Sequence, residues 1–307
     1  MKKILIIGFS DIAKRRVIPA IKKINNLKFE IASKRINKEN FGQVFTYKSY
    51  IEAINNSNAE IVYVSLPNSL HYKFANLALM KNKHVIVDKP ITLKHKDLIK
   101  LINLAKKKKL LLAEAILFNY HSQFYKMKKF LYNKRIQSIM MNFNIPKPQK
   151  NNIKSSVKLG GGCINDMSSY CAAVLRLFLK NYRINSVIRN DQKRLNEKFS
   201  IHCNDIKNKS EFYGNFSHNS EYSNDIKIVG KNFWIRLYRF CAPPDNMNML
   251  IDTSKNNKLK KLYAGKDDTF NNFIKIFLSK IKNKKYNFYF KSIIKDSAVR
   301  QKINNFR

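Results

Sequence analysis

Residues 3–13 read KILIIGFSDIA, and this stretch decides the fold. The apolar run Ile4–Ile7 is typical of a buried strand, and Gly8 follows it directly at the start of a helical pattern. Gly8, Ser10 and Ala13 occupy the three positions of the dinucleotide fingerprint, where the turn is tight, the backbone approaches a pyrophosphate and the helix packs on its strand. Ser10 stands at the usual middle glycine, so a plain strand-turn-helix connection without ligand is the alternative interpretation. A helix N-terminus after the first strand favours phosphate, because it supplies amide donors and a positive dipole end.

The first 120 residues alternate strand-like and helical segments, which is the pattern of a parallel sheet covered on both faces. The strands that the sequence predicts are Lys3–Ile7, Phe29–Ala32, Ile61–Ser65, His84–Val87 and Leu110–Ala113. The helices predicted between them are Ile12–Ile24, Ser49–Asn55, Tyr72–Asn82 and Leu93–Lys107. We therefore expect an α/β protein whose residues 1–120 form a Rossmann domain with a doubly wound parallel sheet.

After about Tyr120 the rhythm changes, so residues 121–307 are predicted to form a second domain. A helix Ser122–Tyr132 and a strand Ser138–Asn144 precede a Lys- and Asn-rich loop, and another helix follows the glycines at 160–162. The later strands and the two closing helices are predicted at Ile184–Ile188, Phe199–Cys203, Glu211–Ser217, Tyr222–Val229, Phe233–Tyr238, Phe270–Lys282 and Lys291–Asn305. Consecutive strands without intervening helices favour an open, mostly antiparallel sheet in an α+β domain. We expect the last helix to pack on that sheet or to return to the first domain.

The charge balance is strongly basic. The chain has 307 residues, 44% of them hydrophobic, and 60 Lys and Arg against 20 Asp and Glu give a formal net charge of +40. Such a field attracts phosphates, so a nucleic-acid-binding protein is one class to consider. The basic residues are spread along the whole chain, however, without a recognition-helix pattern, zinc-finger spacing or aromatic RNA-binding signature. We expect solvated basic faces, an anionic small ligand or phosphorylated cofactor, and no specific nucleic acid.

Cysteine and histidine spacing argue against disulfide and metal sites. Cys163, Cys171, Cys203 and Cys241 form no C-x-x-C pair, which predicts reduced thiols in a cytoplasmic protein. The six histidines form no H-x-x-x-H pair and do not group with carboxylates at ligand spacing, so no metal site is expected. The apolar stretches are interrupted well short of the ~18 residues that a membrane span needs, so we expect no membrane segment.

The end of the second predicted strand indicates which dinucleotide is bound. It reads Ala32-Ser33-Lys34-Arg35, where an NAD site usually carries an acid for the ribose 2′-hydroxyl. A hydroxyl and cations suit a 2′-phosphate instead. The sequence therefore predicts NADP, with NAD possible, and the alternative is that Lys34 and Arg35 are two more cations of a lysine-rich protein.

Five separated stretches carry a further signal. They read GFSDIA at 8–13 continuing to IPAI at 18–21, SLPNSLH at 65–71, KHVIVDKP at 83–90, AE at 113–114 with FNYHSQ at 118–123, and GGGCIND at 160–166. In this order and spacing the chain resembles, over nearly its whole length, the glucose-fructose oxidoreductase, inositol dehydrogenase and rhizopine-catabolism family, written Gfo/Idh/MocA. The resemblance implies an NAD(P)-dependent oxidoreductase of a sugar, cyclitol or related polyol, with the nicotinamide between the Rossmann sheet and the open sheet.

The resemblance also implies roles for single residues. Lys89 matches the lysine of the family's Glu-Lys-Pro motif, which reaches both cofactor and substrate. Asp166 and Tyr170 are four residues apart, so on a helix they share one face. Hydride transfer to a ketone leaves a developing alkoxide, which the Tyr170 hydroxyl or the Lys89 ammonium can protonate while Asp166 orients substrate hydroxyls or the donor. The residues expected around the cofactor are Gly8, Ser10, Ile12, Ala13, Ser33, Lys34, Arg35, Leu66, Pro67, Asn68, His71, Asp88, Lys89 and Glu114.

Some positions depart from the family pattern. Asp88 stands where Glu is usual, Ser168 where Gly is typical, and Tyr170 where most members have His, although some sugar-reducing members share the tyrosine. The segments 230–235 and 240–244 are similar to members that act on nucleotide-linked keto-sugars. A strand-turn-strand with a Pro-Pro exit is also a purely structural device.

The leading hypothesis is an NADP-dependent reductase or dehydrogenase of a sugar-like carbonyl or alcohol. A polyol or inositol dehydrogenase and a catalytically inactive cofactor-binding regulator are the alternatives. Open sheets of this kind are often buried between subunits, so a homodimer or homotetramer is expected.

Overall fold

The computed structural model describes residues 2–34, 44–192 and 195–306. The chain divides into two compact units. Unit 1 comprises Met1–Ala115 and Phe270–Ser297, and unit 2 comprises Ile116–Thr269 and Ala298–Arg307. The division that the sequence predicted, 1–120 and 121–307, differs from these units at the boundary and in the segment 270–297.

Contacts within unit 1 explain why the segment 270–297 is grouped with it. Asn271 Nδ2 donates to the Ala20 carbonyl at 2.9 Å, and the Arg16 guanidinium lies 5.1 Å from the Phe270 ring centroid. The Tyr286 ring stacks on His84. Nothing in the sequence of 270–297 indicates these partners, because they lie roughly 200 to 250 residues away along the chain.

Unit 1 contains a six-stranded parallel sheet with the strand order β3-β2-β1-β4-β5-β6. Its strands are β1 Lys2–Ile7, β2 Leu27–Ala32, β3 Thr46–Tyr47, β4 Ile61–Val64, β5 His84–Asp88 and β6 Leu112–Ala115. Its helices are α1 Ile18–Lys22, α2 Tyr50–Asn56, α3 His71–Met80 and α4 His95–Lys107, with α7 Thr269–Lys282 and the first part of α8 Phe290–Asn305 added from the end of the chain. The predicted Rossmann-type sheet is confirmed. The two-residue β3 is too short to leave a pattern in the sequence.

The first helix is less regular than the sequence predicts. In place of one helix over Ile12–Ile24, a π-helical turn Ala13–Val17 leads into α1. The Ile18 N–H donates to the carbonyl of Ala13, five residues earlier. Pro19 has no N–H to donate to the carbonyl four residues before it, which explains why the helix widens just ahead of the proline.

Unit 2 contains an eight-stranded sheet with the order β14-β13-β12-β11-β7-β10-β9-β8. Its strands are β7 Ile136–Asn144, β8 Tyr182–Gln192, β9 Leu195–Asp205, β10 Ser210–Ser217, β11 Ser223–Gly230, β12 Phe233–Tyr238, β13 Leu250–Lys255 and β14 Lys258–Tyr263. Only β7 and β10 pair in parallel, so the predicted mostly antiparallel sheet is confirmed. The strands β13 and β14 were not predicted; β14 is exposed along nearly its whole length and therefore shows no apolar alternation.

One face of the unit 2 sheet forms a core with the helices α5 Ser122–Leu131 and α6 Cys163–Phe178. Phe212 and Phe216 of β10 are buried on this face, whereas Tyr213 between them is 38% exposed on the other. The outer face therefore stays open to solvent in the isolated chain. No helix among the described residues is long and apolar enough to cross a membrane.

Candidate active site

Gly8 closes the turn after β1, at the carboxyl ends of the parallel strands. Its N–H donates to the Ala32 carbonyl at 2.9 Å, and its φ of +94° favours glycine. A Cβ atom here would lie 2.1 Å from the carbonyl oxygen of Ser65, at the end of β4. Because β1 lies between β2 and β4 and the chain leaves it in both directions, this turn is the topological switch point where open α/β sheets bind ligands.

The hydroxyl of Ser10 is directed towards the residues that follow β4 and end β5. It contacts the Ser65 hydroxyl at 2.7 Å, which in turn donates to Asp88 Oδ2 at 2.7 Å, and Tyr63 donates to Asp88 Oδ1 at 2.7 Å. Since Ser65 gives its only proton to Asp88, Ser10 must donate to Ser65. The Ala13 N–H donates to the Ser10 oxygen at 3.0 Å. The serine that replaces the fingerprint glycine therefore ties the first turn to β4 and β5.

Two loops at the same edge carry the predicted lysine and its neighbours. Lys89 directly follows β5, is half-buried, and is joined to Pro90 by a cis peptide bond. The fully buried His71 contacts the Pro90 carbonyl through Nδ1 and the Leu66 carbonyl through Nε2, each at 2.7 Å. Glu114 of β6 accepts a hydrogen bond from the Ile91 N–H at 3.1 Å.

Among the described residues directly after β2, which are Ser33 and Lys34, there is no acid. Ser33 is buried and its N–H donates to the Tyr47 carbonyl, whereas Lys34 is exposed. Glu30 lies within β2, but its carboxylate accepts from the Ser57 hydroxyl at 2.6 Å and from Lys3 at 3.1 Å. Arg35, which the sequence analysis also assigned to the cofactor, lies outside the described residues.

The remaining predicted cofactor residues all belong to unit 1. Of these, Ala13, Leu66 and Glu114 are buried, Pro67 and Asn68 are half-buried, and Ile12 is 40% exposed. Together with Gly8, Ser10, Ser33, Asp88 and Lys89 they follow or end the strands β1, β2, β4, β5 and β6 at one edge. A glycine cradle that a Cβ would fill, beside a hydroxyl and a lysine at the end of β2, is a donor set that fits a phosphorylated dinucleotide.

In unit 2 a second group of polar residues surrounds the start of α6. Gly162, with φ +99°, precedes the helix, and the Asp166 N–H donates to its carbonyl at 3.0 Å. A Cβ on Gly161 would lie 2.5 Å from the carbonyl oxygens of both Ile153 and Lys154. The glycine at 161 thus lets the 153–155 turn lie directly against the beginning of the helix.

Asp166 is held by two basic side chains. Its Oδ2 atom lies 2.7 Å from Lys154 Nζ and 3.0 Å from His218 Nε2. His218 is buried and follows β10 directly. Its backbone N–H donates to the Glu197 carbonyl at 2.8 Å. Sequence reasoning missed both basic residues. A histidine immediately after a predicted strand was the only available signal for His218, and it gave no hint of a partner 52 residues away.

Tyr170 lies one helical turn after Asp166. Its ring is half-buried, with Phe143 5.4 Å and Phe118 6.5 Å away between ring centroids. These contacts fix the ring by packing. Neighbouring Cys171 is fully buried, and burial raises the pKa of this thiol and raises the pKa of Cys203 to about 12, so both thiols stay protonated and act as packing groups.

The predicted residues are therefore brought together in two groups. The cofactor residues and Lys89 share an edge of unit 1, and Asp166 and Tyr170 share one helix of unit 2 with Lys154 and His218 beside them. No group of three or more His, Cys, Asp or Glu suited to a metal ion occurs among residues 2–34, 44–192 and 195–306.

A parallel six-stranded sheet with a glycine turn at its switch point is the arrangement found in Rossmann-type dinucleotide-binding domains. Residues 2–115 match the sequence model of the oxidoreductase family with an NAD-binding Rossmann fold, Gfo/Idh/MocA. This match agrees with the resemblance drawn from the motifs over that part of the chain, and unit 1 is therefore similar to the NAD-binding domain of that oxidoreductase family.

Related sequences include sugar reductases. The dTDP-3,4-didehydro-2,6-dideoxy-alpha-D-glucose 3-reductase of Saccharopolyspora spinosa is 29% identical over 185 residues, which cover 58% of this chain and 56% of that protein. The reductase of the same name from Actinomadura kijaniata is 31% identical over 183 residues, covering 57% and 55%. The chain thus spans little more than half the length of these relatives.

Solved structures extend the likeness of fold to the whole chain. The 3-ketoreductase KijD10 from Actinomadura kijaniata, solved with NADP and TDP-benzene, has a TM-score of 0.90 at 23% identity and covers 97% of this chain and 95% of that one. An aldose-aldose oxidoreductase from Caulobacter crescentus has a TM-score of 0.84 at 16% identity, covering 99% and 96%. At these identities the similarity establishes the two-sheet fold.

Proposed function

We propose that the protein is an NADP-dependent reductase of a keto-sugar, and that the sugar is linked to a nucleoside diphosphate. The observation that carries the proposal is the edge of unit 1, where Gly8, the Ser10 network and Lys89 follow adjacent parallel strands. Matching relatives named as reductases of dTDP-linked keto-sugars support the substrate class.

NADP is assigned in preference to NAD because of the end of β2. Ser33 and Lys34, with Arg35, supply a hydroxyl and cations for a 2′-phosphate, and Glu30 is already engaged by Ser57 and Lys3. When bound, the reduced nicotinamide supplies a hydride to the substrate carbonyl carbon. Gly8, Ile12, Ala13, Leu66, Pro67 and Asn68 would hold the dinucleotide, with Ser10, Asp88 and Glu114 keeping their loops in place.

The proposed proton donor is Tyr170. The carbonyl oxygen gains negative charge as the carbon accepts the hydride, and the Tyr170 O–H gives it a proton. The ammonium group of Lys89, which follows β5 at the edge of unit 1, is the second group that could give up a proton, as the family resemblance implies. Asp166, fixed by Lys154 and His218, accepts hydrogen bonds from substrate hydroxyls and sets the orientation of the sugar.

The proposal extends to assembly and location. We assign the open outer face of the unit 2 sheet, which includes Tyr213 and Met140, to the contact between two copies of the chain in a homodimer or homotetramer. The four cysteines are free thiols, in keeping with a reducing cytoplasm.

The test is a titration followed by turnover. Fluorescence titration with NADPH and NADH measures both dissociation constants, and a tighter constant for NADPH is expected. A panel of dTDP-linked keto-sugars, free keto-sugars, xylose and inositol is then assayed at the nicotinamide absorbance.

Turnover of the nucleotide-linked ketones, lost in Lys89→Ala and in Tyr170→Phe with NADPH binding kept, is the expected result. Oxidation of inositol or xylose in place of ketone reduction would make it a polyol dehydrogenase. Indifference to both dinucleotides would refute the proposal.

A further inference from the structure

His71 is the only residue of the SLPNSLH motif whose side chain is completely buried, among residues 65–71. It begins α3, yet its ring does not cap that helix. Nδ1 lies 2.7 Å from the carbonyl oxygen of Pro90, and Nε2 lies 2.7 Å from that of Leu66. The ring thus joins the loop after β4 to the loop after β5.

Both partners of the ring are acceptors only. A backbone carbonyl cannot donate, so the ring holds a carbonyl through a nitrogen that carries a proton. Without the ring, the two loops lose this buried contact, and a buried carbonyl left unsatisfied costs roughly 1–3 kcal/mol.

The two carbonyls belong to the loops that the proposed reaction uses. Leu66 precedes Pro67 and Asn68, which are assigned to the cofactor, and Pro90 follows Lys89, which is assigned to the reacting centre. The ring itself reaches neither solvent nor any surface of the loops. It lies behind the residues that would contact the ligand.

We propose that His71 is a positioning residue, whose ring lies between the Leu66 and Pro90 carbonyls and thereby fixes the spacing between the cofactor loop and the Lys89 loop. This role rests on the function proposed above. The sequence analysis assigned His71 to direct contact with the cofactor. In this proposal His71 instead supports the residues that make that contact.

The first test observes the ring directly and needs no substrate. In protein labelled with 15N-histidine, the ring N–H of His71, assigned by its disappearance in His71→Gln, should exchange slowly with solvent because it donates to a buried carbonyl. A ring N–H that exchanges as fast as that of an exposed histidine would overturn the proposal, whatever the protein's activity. This measurement therefore stays informative even if the reductase assignment fails.

The second test separates positioning from general stability. His84→Gln is the matched control: His84 is a histidine of the same unit, at the amino end of β5, where its ring accepts the Leu111 N–H at 2.9 Å. Both variants should lose some thermal stability. At saturating NADPH, kcat should fall at least tenfold in His71→Gln and stay within twofold of wild type in His84→Gln.

A third variant, His71→Ala, makes the test independent of the behaviour of His71→Gln. His71→Ala leaves a ring-sized space, and added imidazole should restore part of the lost kcat by bridging the same carbonyls. Equal kcat in His71→Gln and His84→Gln, or no response of folded His71→Ala to imidazole, would assign His71 a packing role alone.

Discussion

At the scale of single residues, the hydroxyl of Ser65 connects two residues that the sequence analysis treated separately. It links Ser10, in the first turn, to Asp88, the residue before Lys89. The sequence identified the Ser10 and Asp88 departures separately, as a missing glycine and a shortened acid. In the structure they belong to one network, because the shorter acid and the added hydroxyl meet through Ser65.

Removing this hydroxyl should weaken cofactor binding. Ser65→Ala leaves Ser10 and Asp88 without their shared partner, so the turn at Gly8 loses about 1 kcal/mol of support. We expect the dissociation constant for NADPH to rise about fivefold, measured by fluorescence titration. Ser69→Ala, an exposed serine of the same motif, is the control and should leave the constant unchanged.

His218 should matter for catalysis through Asp166. Without the imidazole, Asp166 Oδ2 loses the buried one of its two basic partners and still contacts Lys154, a flexible side chain that is 38% exposed. His218→Ala is expected to lower kcat about tenfold, with little change in NADPH affinity. A tenfold change corresponds to about 1.4 kcal/mol of activation free energy, which is the order of one charge-assisted hydrogen bond.

His202→Ala is the comparison for His218→Ala. His202 is a half-exposed histidine on the outer face of the same sheet, stacked on Tyr213. Its loss should leave kcat as in wild type. If both variants lose kcat equally, the Asp166 contact has no special role.

At the scale of elements, the sequence predicted the segments that alternate clearly and missed those that do not. The buried strands β1, β4 and β5 follow from their apolar runs. The strand β14 was missed because Leu259 points to solvent at 76% exposure, and the π-helical turn was missed because periodicity cannot resolve one extra residue per turn.

The candidate site divides in the same way. Lys89, Asp166 and Tyr170 were proposed from motifs that are contiguous in sequence. Lys154 and His218 reach Asp166 from segments 12 positions before it and 52 after it, and no local pattern encodes such partners.

The turn before α6 depends on a glycine at 161. Gly161→Ala would place a Cβ 2.5 Å from two carbonyl oxygens of rigid backbone, so the 153–155 turn must move and carry Lys154 away from Asp166. We expect a loss of about 2–4 kcal/mol in the free energy of unfolding, measured by urea titration, together with a lower kcat. A variant as stable and active as wild type would show that the turn shifts without cost.

At the scale of the whole molecule, the net charge of +40 sets how stability responds to solution conditions. Like charges repel more in the compact state than in the expanded one, so the native state is favoured by screening and disfavoured by further protonation. Titration of buried groups adds to this general effect, and their contributions can be separated by substitution.

His84 provides such a contribution to global stability. Burial, and to a lesser degree the charge of Lys2, lowers the pKa of His84 from 6.5 to about 4. The unfolded chain therefore binds a proton between these values that the folded chain refuses, and stability falls as the pH drops from 6.5 towards 4. Between pH 7 and pH 5 this amounts to about 2 kcal/mol at most, reduced by the ring's partial contact with solvent.

His84→Gln isolates this effect, because the glutamine oxygen can still accept the Leu111 N–H but does not titrate. Urea unfolding of both proteins at pH 7 and pH 5, at one ionic strength, should show a smaller loss of stability on acidification in the variant. Repulsion among the surface cations acts equally on both proteins and cancels in the comparison. Identical losses in the two proteins would mean that His84 protonates as readily in the folded chain as in the unfolded one, and that the acid sensitivity comes from surface charge alone.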